Sequence, residues 1–159
     1  MEVYCKYDEL VDPEELINYS RNRNKHPQSQ IERLAKSFKC HGIRHPIIVD
    51  IDRGVIAAGH GRKLAAIRAG IKKYPVVYQK FETDEALYTF CQADNASALE
   101  SELDLAGINA DLADIGPFEI DNLLIPGFTV EPLDKASDQE TKELAKQNKK
   151  SCPECGAII

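Results

Sequence analysis

Apolar residues recur with two different spacings between residues 27 and 58, and each spacing predicts a different element. Pro27 suits the first position of a helix, and Gly42 is a natural end for it. Four apolar residues lie between them at the steps of three and four that form one helical face: Ile31, Leu34, Ala35 and Phe38. Residues 46–51 and 55–58 are short and β-branched, with an Asp-Arg-Gly turn between them, so they predict a β-hairpin.

The other segments of the first hundred residues complete a small mixed fold. Residues 1–25 contain short extended pieces and turns, residues 62–69 favour a helix, and residues 74–78 favour a third strand. A further helix is predicted over residues 83–95, because Thr83 is a good cap and acidic residues occupy the first turn. The pattern therefore predicts an α+β fold in which helices flank a small mixed β-sheet.

The character of the chain changes near residue 98. We expect a folded domain over residues 1–98, an acidic helical extension over 99–130, a polar linker over 131–150 and a cysteine-containing tail over 151–159. Glycines and prolines divide the extension into short predicted helices over residues 98–105, 108–112 and 118–124.

The charge of the chain is distributed unevenly. Residues 1–80 carry 15 Lys+Arg and 9 Asp+Glu, whereas residues 81–159 carry 5 and 17. The first half should attract an anionic ligand, and the second half should repel one. The overall net charge of -6 argues against a chain that coats DNA by itself, because such binding needs a basic face. DNA would therefore be contacted through the basic first half or through a partner protein.

The composition also bears on the compartment. No apolar run approaches the roughly 18 residues that cross a bilayer, and the first residues lack the layout of a secretion signal. The five cysteines are an odd number and show one meaningful spacing, which argues against a disulfide framework. We therefore expect a cytoplasmic protein with reduced thiols and without a membrane partner.

The most informative segment is Gly59-His60-Gly61-Arg62-Lys63, between the second hairpin strand and the next predicted helix. Two glycines at such a junction let the backbone approach an anion, and the first amides of the helix point toward it. Arg62 and Lys63 add positive charge, and arginine suits bidentate phosphate contact. His60 is open to three roles: a phosphate ligand, a general base, or a spacer with a satisfied ring. The alternative for the whole motif is a tight connection without a ligand.

Three segments in order carry a family resemblance: residues 42–49, 55–66 and 93–95. Together they resemble the ParB N-terminal (ParB/sulfiredoxin-type) domain family over roughly residues 8–98. The likeness extends more loosely to Pro132, toward the ParB-like proteins that accompany phage DNA methylases. The resemblance implies a ParB/sulfiredoxin-like fold that works inside a bacterial or phage-infected cell.

The resemblance also implies a ligand, a nucleoside triphosphate (CTP or ATP) with Mg²⁺. The residues that it places at the base are Gly42, Arg44 and His45. The residues that it places at the phosphates are Gly59, His60, Gly61, Arg62, Lys63 and Asn95. It places Asp94 at the metal, because Mg²⁺ prefers hard oxygen ligands.

The sequence departs from the family at four positions. Chromosome-partitioning members usually have Gln in place of His45, Glu and Arg in place of His60 and Gly61, and Arg in place of Leu64. The identity of the nucleotide and its hydrolysis therefore stay open. Sulfiredoxin activity is disfavoured, because the sulfiredoxin branch needs a nucleophilic cysteine in this turn and the turn has none.

The tail contains the one meaningful cysteine pair, Cys152 and Cys155. Their C-x-x-C spacing, followed by Gly156, is half of a tetrahedral zinc site, which needs four ligands. A second chain in a homodimer would supply the other two thiolates, so the prediction is an intermolecular Zn²⁺ site. A vestigial motif and a redox pair are the alternatives.

Three functions are compatible with these features. The first is a nucleotide-binding, DNA-associated adaptor or switch, and the second is an enzyme: a metal-dependent nuclease, an NTPase or a phosphotransferase. The third is an interaction module whose motif binds no ligand. The first is favoured, because Asp94 has few companion carboxylates for a two-metal nuclease and the sequence shows no acceptor pocket for a kinase.

Overall fold

The computed structural model describes residues 1–97, 103–115 and 120–129. The strands are β1 (Glu9–Val11), β2 (Ile17–Asn18), β3 (Ile47–Asp50), β4 (Val55–Ala58) and β5 (Tyr74–Gln79). The helices are α1 (Gln28–His41), α2 (His60–Arg68), α3 (Asp84–Ser97) and α4 (Leu105–Ile115), with a 3-10 turn over Ile120–Leu123. The predicted α+β fold is confirmed.

The strands of the described chain form one mixed sheet in the order β1-β5-β3-β4-β2. The central strand β3 is antiparallel to β4, as the predicted hairpin requires, and parallel to β5. Helix α2 connects β4 to β5. Because β3 begins beside the end of β4, the loop before β3 and the turn after β4 lie next to each other, and they hold two of the three predicted motifs.

Helices α1 and α2 pack together around an apolar core that also includes the central strands. The Phe38 ring of α1 contacts the fully buried Tyr74 ring of β5, with centroids 5.5 Å apart. Burial of a large apolar side chain contributes about 1.5 to 3 kcal/mol. The Tyr74 hydroxyl donates a hydrogen bond to the His45 carbonyl oxygen at 3.1 Å. The core therefore fixes the loop that precedes β3.

Helix α2 begins earlier than the sequence predicted. Its first residue is His60 rather than Arg62, because Gly59 adopts a left-handed conformation and the chain turns directly from β4 into the helix. The two residues that the sequence assigned to a break, His60 and Gly61, are therefore the first turn of α2.

Two other helix starts depend on capping side chains. The predicted cap of α3 is confirmed, since the Thr83 hydroxyl accepts a hydrogen bond from the Ala86 amide at 3.1 Å. Helix α4 is continuous through Gly107, where the sequence predicted a break. The Asp104 carboxylate accepts a hydrogen bond from the Gly107 amide at 2.9 Å, so this glycine lies in a capped first turn.

Residues 120–125 belong to the same compact unit as residues 1–97, and α4 belongs to a second unit. In the first unit, His41 Nε2 lies 2.8 Å from the Asn122 carbonyl oxygen. Within the described ranges, no helix has the length and apolar character required to span a membrane. The domain boundaries at residues 98, 130 and 150 stay a prediction.

Candidate phosphate-binding site

The turn between β4 and α2, residues 59–62, depends on the conformation of Gly59. This residue has φ 102° and ψ 24°, a backbone conformation that residues with a side chain rarely adopt. A Cβ atom at this position would lie 3.2 Å from Ile47 Cγ1 and 3.2 Å from Arg62 Nη1. The β4–α2 turn therefore passes close to the start of β3, and only glycine fits there without strain.

The first amides of α2 have no acceptor in the described part of the chain. The Lys63 amide donates to the Gly59 carbonyl oxygen at 3.0 Å, whereas no hydrogen bond is formed there by the amides of His60, Gly61 and Arg62. No side chain caps this end of the helix, and no acidic residue lies in its first turn. Three free donors and the positive end of the helix dipole therefore suit an anion.

The Arg62 side chain is partly buried, and its guanidinium lies close to Gly59, the residue that precedes α2. Its Nη1 donates a hydrogen bond to the Pro46 carbonyl oxygen at 2.8 Å, which links the β4–α2 turn to the loop before β3. Among the described residues, no carboxylate forms an ion pair with Arg62. Most of its five N–H donors and its full charge therefore remain for another partner.

The His60 ring is turned inward and is only 8% exposed. Its Nε2 accepts a hydrogen bond from the Tyr19 amide at 3.3 Å. Burial, with smaller effects from His26 and Lys63, lowers the pKa of His60 from 6.5 to about 4, so the ring is neutral at pH 7. Of the three predicted roles, the geometry favours a spacer with a satisfied ring. A phosphate contact from this residue would come from its amide.

The other two residues of the motif also make contacts that the sequence did not reveal. Lys63 Nζ donates hydrogen bonds to the Leu16 carbonyl oxygen at 2.7 Å and to Asn18 Oδ1 at 3.3 Å. The Lys63 charge is thus engaged at the start of β2, and its predicted phosphate contact stays a prediction. Gly61 faces the His26 ring, because a Cβ atom on Gly61 would lie 3.0 Å from ring atoms. Gly61 therefore makes room for the His26 ring.

Two of the predicted base-binding residues border a cavity of about 500 Å³. Gly42 ends α1 with φ 69°, and a Cβ atom there would clash with the Tyr4 ring. The Arg44 guanidinium lies 4.1 Å from the centroid of the same ring, which is a cation–π contact. His45 is exposed and does not line this cavity. The structure therefore groups Gly42 and Arg44 and leaves the His45 side chain apart.

The predicted metal and phosphate residues of α3 occupy different environments. The Asp94 side chain is exposed. The Asn95 side chain, in contrast, donates from Nδ2 to Asn22 Oδ1 at 3.0 Å and accepts at Oδ1 from Asn24 Nδ2 at 3.0 Å. The described residues contain no group of three His, Cys, Asp or Glu side chains that could hold a metal ion. Mg²⁺ commonly keeps several waters and binds substrate phosphates, so Asp94 alone stays a predicted ligand.

A second charged turn, residues 50–54, lies at the other end of β4, where the sequence predicted a turn only. Asp50 is fully buried, and its Oδ2 accepts a hydrogen bond from Arg53 Nη1 at 2.7 Å. Its Oδ1 accepts a hydrogen bond from the Asp52 amide at 2.9 Å. Arg53 Nε also donates to Asp84 Oδ1 at 2.8 Å, and the bonds to Asp50 and Asp84 raise the pKa of Arg53. The β3–β4 turn is therefore closed by internal ion pairs.

The remaining predicted ligands, Cys152 and Cys155, lie outside the described residues, as does the polar linker. The intermolecular Zn²⁺ site stays a prediction. Sequence reasoning missed the contacts made by Asn22, Asn24 and His26, because nothing in a polar stretch before α1 indicates its partners in space.

Comparison with known proteins agrees with the family resemblance of the sequence. The sequence profile of the ParB N-terminal domain matches residues 5–94. The ParB-like nuclease domain-containing protein YnaK of Escherichia coli (strain K12) is 36% identical over 72 residues, which cover 45% of this chain and 82% of YnaK. The probable chromosome-partitioning protein ParB of Treponema pallidum (strain Nichols) is 32% identical over 98 residues, which cover 57% of this chain and 30% of that protein.

A solved structure shares the fold. The C-terminally truncated chromosome-partitioning protein ParB from Caulobacter crescentus, complexed with CTP-gamma-S, matches with a TM-score of 0.55 and 24% identity. The match covers 64% of this chain and 58% of that chain. The present chain thus spans less than two thirds of either partitioning protein. Because the profile covers more than half of this chain and the alignment covers most of YnaK, the chain belongs to the ParB N-terminal domain family.

Proposed function

We propose that this domain binds the phosphates of a nucleoside triphosphate at the β4–α2 turn and acts as a nucleotide-dependent adaptor or switch in a DNA-associated process. The observation that carries the proposal concerns the described residues, among which Arg62 has no carboxylate partner and three neighbouring α2 amides donate no hydrogen bond. The Arg62 guanidinium lies close to Gly59, the residue that precedes these amides. A charged fork and a helix N-terminus at one place together favour a phosphate. The CTP-gamma-S complex of the Caulobacter relative supports CTP as the first candidate and ATP as the second.

The other parts of the site follow from this placement. The Arg62 bond to the Pro46 carbonyl oxygen joins the phosphate site to the loop that carries Gly42 and Arg44, so the base would lie toward that loop. Mg²⁺ would be held mainly by the phosphates and water, with Asp94 as the protein ligand.

The DNA association would be indirect or would use the basic first half of the chain. The partitioning function in the name of the Treponema relative supports a DNA-linked process. We further propose that the protein works in the cytoplasm and that the nucleotide changes a contact with a partner protein or with a second copy of this chain.

An enzymatic function is the second candidate. The name of YnaK, which aligns over most of its length, favours a nuclease. Such a nuclease would be metal-dependent if it follows the common two-metal design. Nucleases usually gather carboxylates around two metal ions, and the described residues contain no such group. An NTPase or phosphotransferase would use the same phosphate site. Both forms of turnover therefore stay candidates for this chain.

Calorimetric titration tests the proposal. CTP, ATP and GTP are titrated with Mg²⁺ into the wild type, Arg62→Ala and Arg68→Ala. Arg68 is the matched control, because it lies at the far end of α2 and pairs with Glu32 on the surface. We expect micromolar to millimolar binding of at least one nucleotide, weakened about tenfold or more in Arg62→Ala and unchanged in Arg68→Ala. A DNA cleavage assay with Mg²⁺ is run on the same variants. If no nucleotide binds and Arg62→Ala still cleaves DNA, the adaptor or switch function is wrong and the nuclease function is supported.

A further inference from the structure

A second cavity, of about 290 Å³, lies between α1 and two leucines of the segment 121–125. Helix α1 and this segment belong to the same compact unit. The cavity shares one lining residue, His41, with the cavity beside Gly42 and Arg44. Its lining includes none of the residues that the sequence predicts for the phosphates, the metal or the base. The second cavity is therefore separate from the proposed nucleotide site.

The α1 wall of this cavity is mostly polar and carries positive charge. Its residues recur at steps of three and four, so they project from one side of the helix: Gln30, Arg33, Leu34, Ser37 and His41. Among the described residues, no carboxylate forms an ion pair with Arg33. Gln30 Oε1 lies 3.0 Å from His26 Nδ1, so the Gln30 amide nitrogen remains as a donor. A guanidinium with a polar donor on the same wall favours an anion.

The other wall is apolar and is formed by Leu123 and Leu124, which are both partly buried. His41 Nε2 lies 2.8 Å from the Asn122 carbonyl oxygen, and this hydrogen bond holds the segment against α1. Leu124 has φ 57°, and no other non-glycine residue of the described chain has a positive φ. Backbone strain of this kind occurs often at ligand sites, where surrounding contacts maintain it. The fold thus holds two leucine side chains across from the charged wall.

We propose that this cavity binds a small carboxylic acid in its ionised form, with the carboxylate on Arg33 and a short apolar chain against Leu123 and Leu124. The volume is close to the lower end of ligand pockets, roughly 300 Å³, so it suits a small molecule. One guanidinium matches the single charge of a carboxylate, whereas a phosphate group brings a charge of about -1.5 to -2. The inference goes beyond the proposed function and does not depend on it.

The test uses hexanoate as the probe, titrated into the ¹⁵N-labelled full chain and followed by amide NMR. Two matched probes separate the contributions: 1-hexanol has the chain without the charge, and acetate has the charge without the chain. The protein is compared as wild type, Arg33→Gln, Leu124→Gly and Lys39→Gln. Lys39 is the control, because it is an exposed cation of α1 that does not line this cavity. Leu124→Gly removes the side chain while glycine accepts the positive φ, so the segment keeps its conformation.

We expect millimolar binding of hexanoate, with shifts in the amides of residues 30–41 and 121–125, and binding at least about tenfold weaker for 1-hexanol and acetate. Arg33→Gln should weaken hexanoate binding about tenfold and Leu124→Gly about threefold, because each removes one of the two contacts. Lys39→Gln should bind like the wild type. Equal affinity for hexanoate and 1-hexanol, an unchanged affinity in Arg33→Gln or Leu124→Gly, or the absence of shifts in both segments would show that the inference is wrong.

Discussion

The two ends of strand β4 carry an arginine in opposite electrostatic situations. In the β3–β4 turn, Arg53 is bound by the buried Asp50 carboxylate and by Asp84. In the β4–α2 turn, Arg62 bonds only to a carbonyl oxygen among the described residues. A charge that the fold neutralises stabilises the fold, whereas a charge that it leaves without a counter-ion is available to a ligand. Sequence alone gives both turns an arginine and a glycine, and the structure shows which one is open.

Among these variants, Asp50→Ala in the β3–β4 turn should have the largest effect on stability. This change removes the acceptor of the Asp52 and Arg53 amides and of the Arg53 guanidinium from a fully buried position. We expect the free energy of unfolding to fall by about 3 kcal/mol, measured by urea denaturation. Nucleotide affinity of the folded protein should not change. The exposed partner offers a control, since Asp84→Ala should have little effect on stability. A clear loss of nucleotide affinity in folded Asp50→Ala would contradict the independence of the two turns.

The open turn should make stability depend on pH through His60. Its pKa is about 4 in the folded protein and 6.5 when unperturbed, so the unfolded chain takes up a proton first as the pH falls. The stability contributed by the neutral ring is present above pH 6.5 and is lost between pH 6.5 and about 4. We expect a loss of about 2 kcal/mol from pH 7 to 4.5 that is absent in His60→Gln. An identical slope in His60→Gln would assign the pH dependence to other groups.

A smaller effect distinguishes the glycines of the two turns. Gly54 has φ 66° with no atom within 4 Å of an added Cβ, whereas at Gly59 the Cβ would also contact Ile47 and Arg62. Gly54→Ala should cost about 1 kcal/mol of stability from backbone strain, and Gly59→Ala should cost about 2 kcal/mol. Only Gly59→Ala should weaken triphosphate binding, because it moves the Arg62 guanidinium. Equal losses of affinity in both variants would show that the β4–α2 turn has no special role.

Much of the fold could be predicted from local signals. Short-range patterns predicted the helix face through Ile31, Leu34, Ala35 and Phe38, the hairpin strands and the Thr83 cap. Each of these patterns joins residues that are close in sequence. The sequence predicts a start of α2 at Arg62, two residues too late, because a Gly-His-Gly segment has a low helix propensity. Tertiary contacts outweigh that propensity. Gly59 adopts a left-handed conformation, the Tyr19 amide donates to the His60 ring, and the His26 ring packs against Gly61.

The candidate site was only partly predictable, because side-chain direction depends on contacts that are distant in sequence. The motif located the glycine turn between β4 and α2, which depends on the backbone next to it, whereas the phosphate contact of Arg62 stays a prediction. The engagement of Lys63 with Leu16, 47 residues away, and of Asn95 with Asn22, 73 residues away, could not be derived from spacing. The predicted phosphate contacts of Lys63 and Asn95 stay predictions, and they would have to replace or accompany these hydrogen bonds.

The most direct measurement is the amide ¹H–¹⁵N NMR spectrum of the full chain during titration with Mg²⁺ and CTP. If this account is right, the amides of His60, Gly61 and Arg62 shift together and saturate with the calorimetric affinity, because they donate to the bound phosphates. The amides of the β3–β4 turn, residues 50–54, should stay in place. Shifts confined to the β3–β4 turn, or saturable binding without any shift at residues 60–62, would contradict the account.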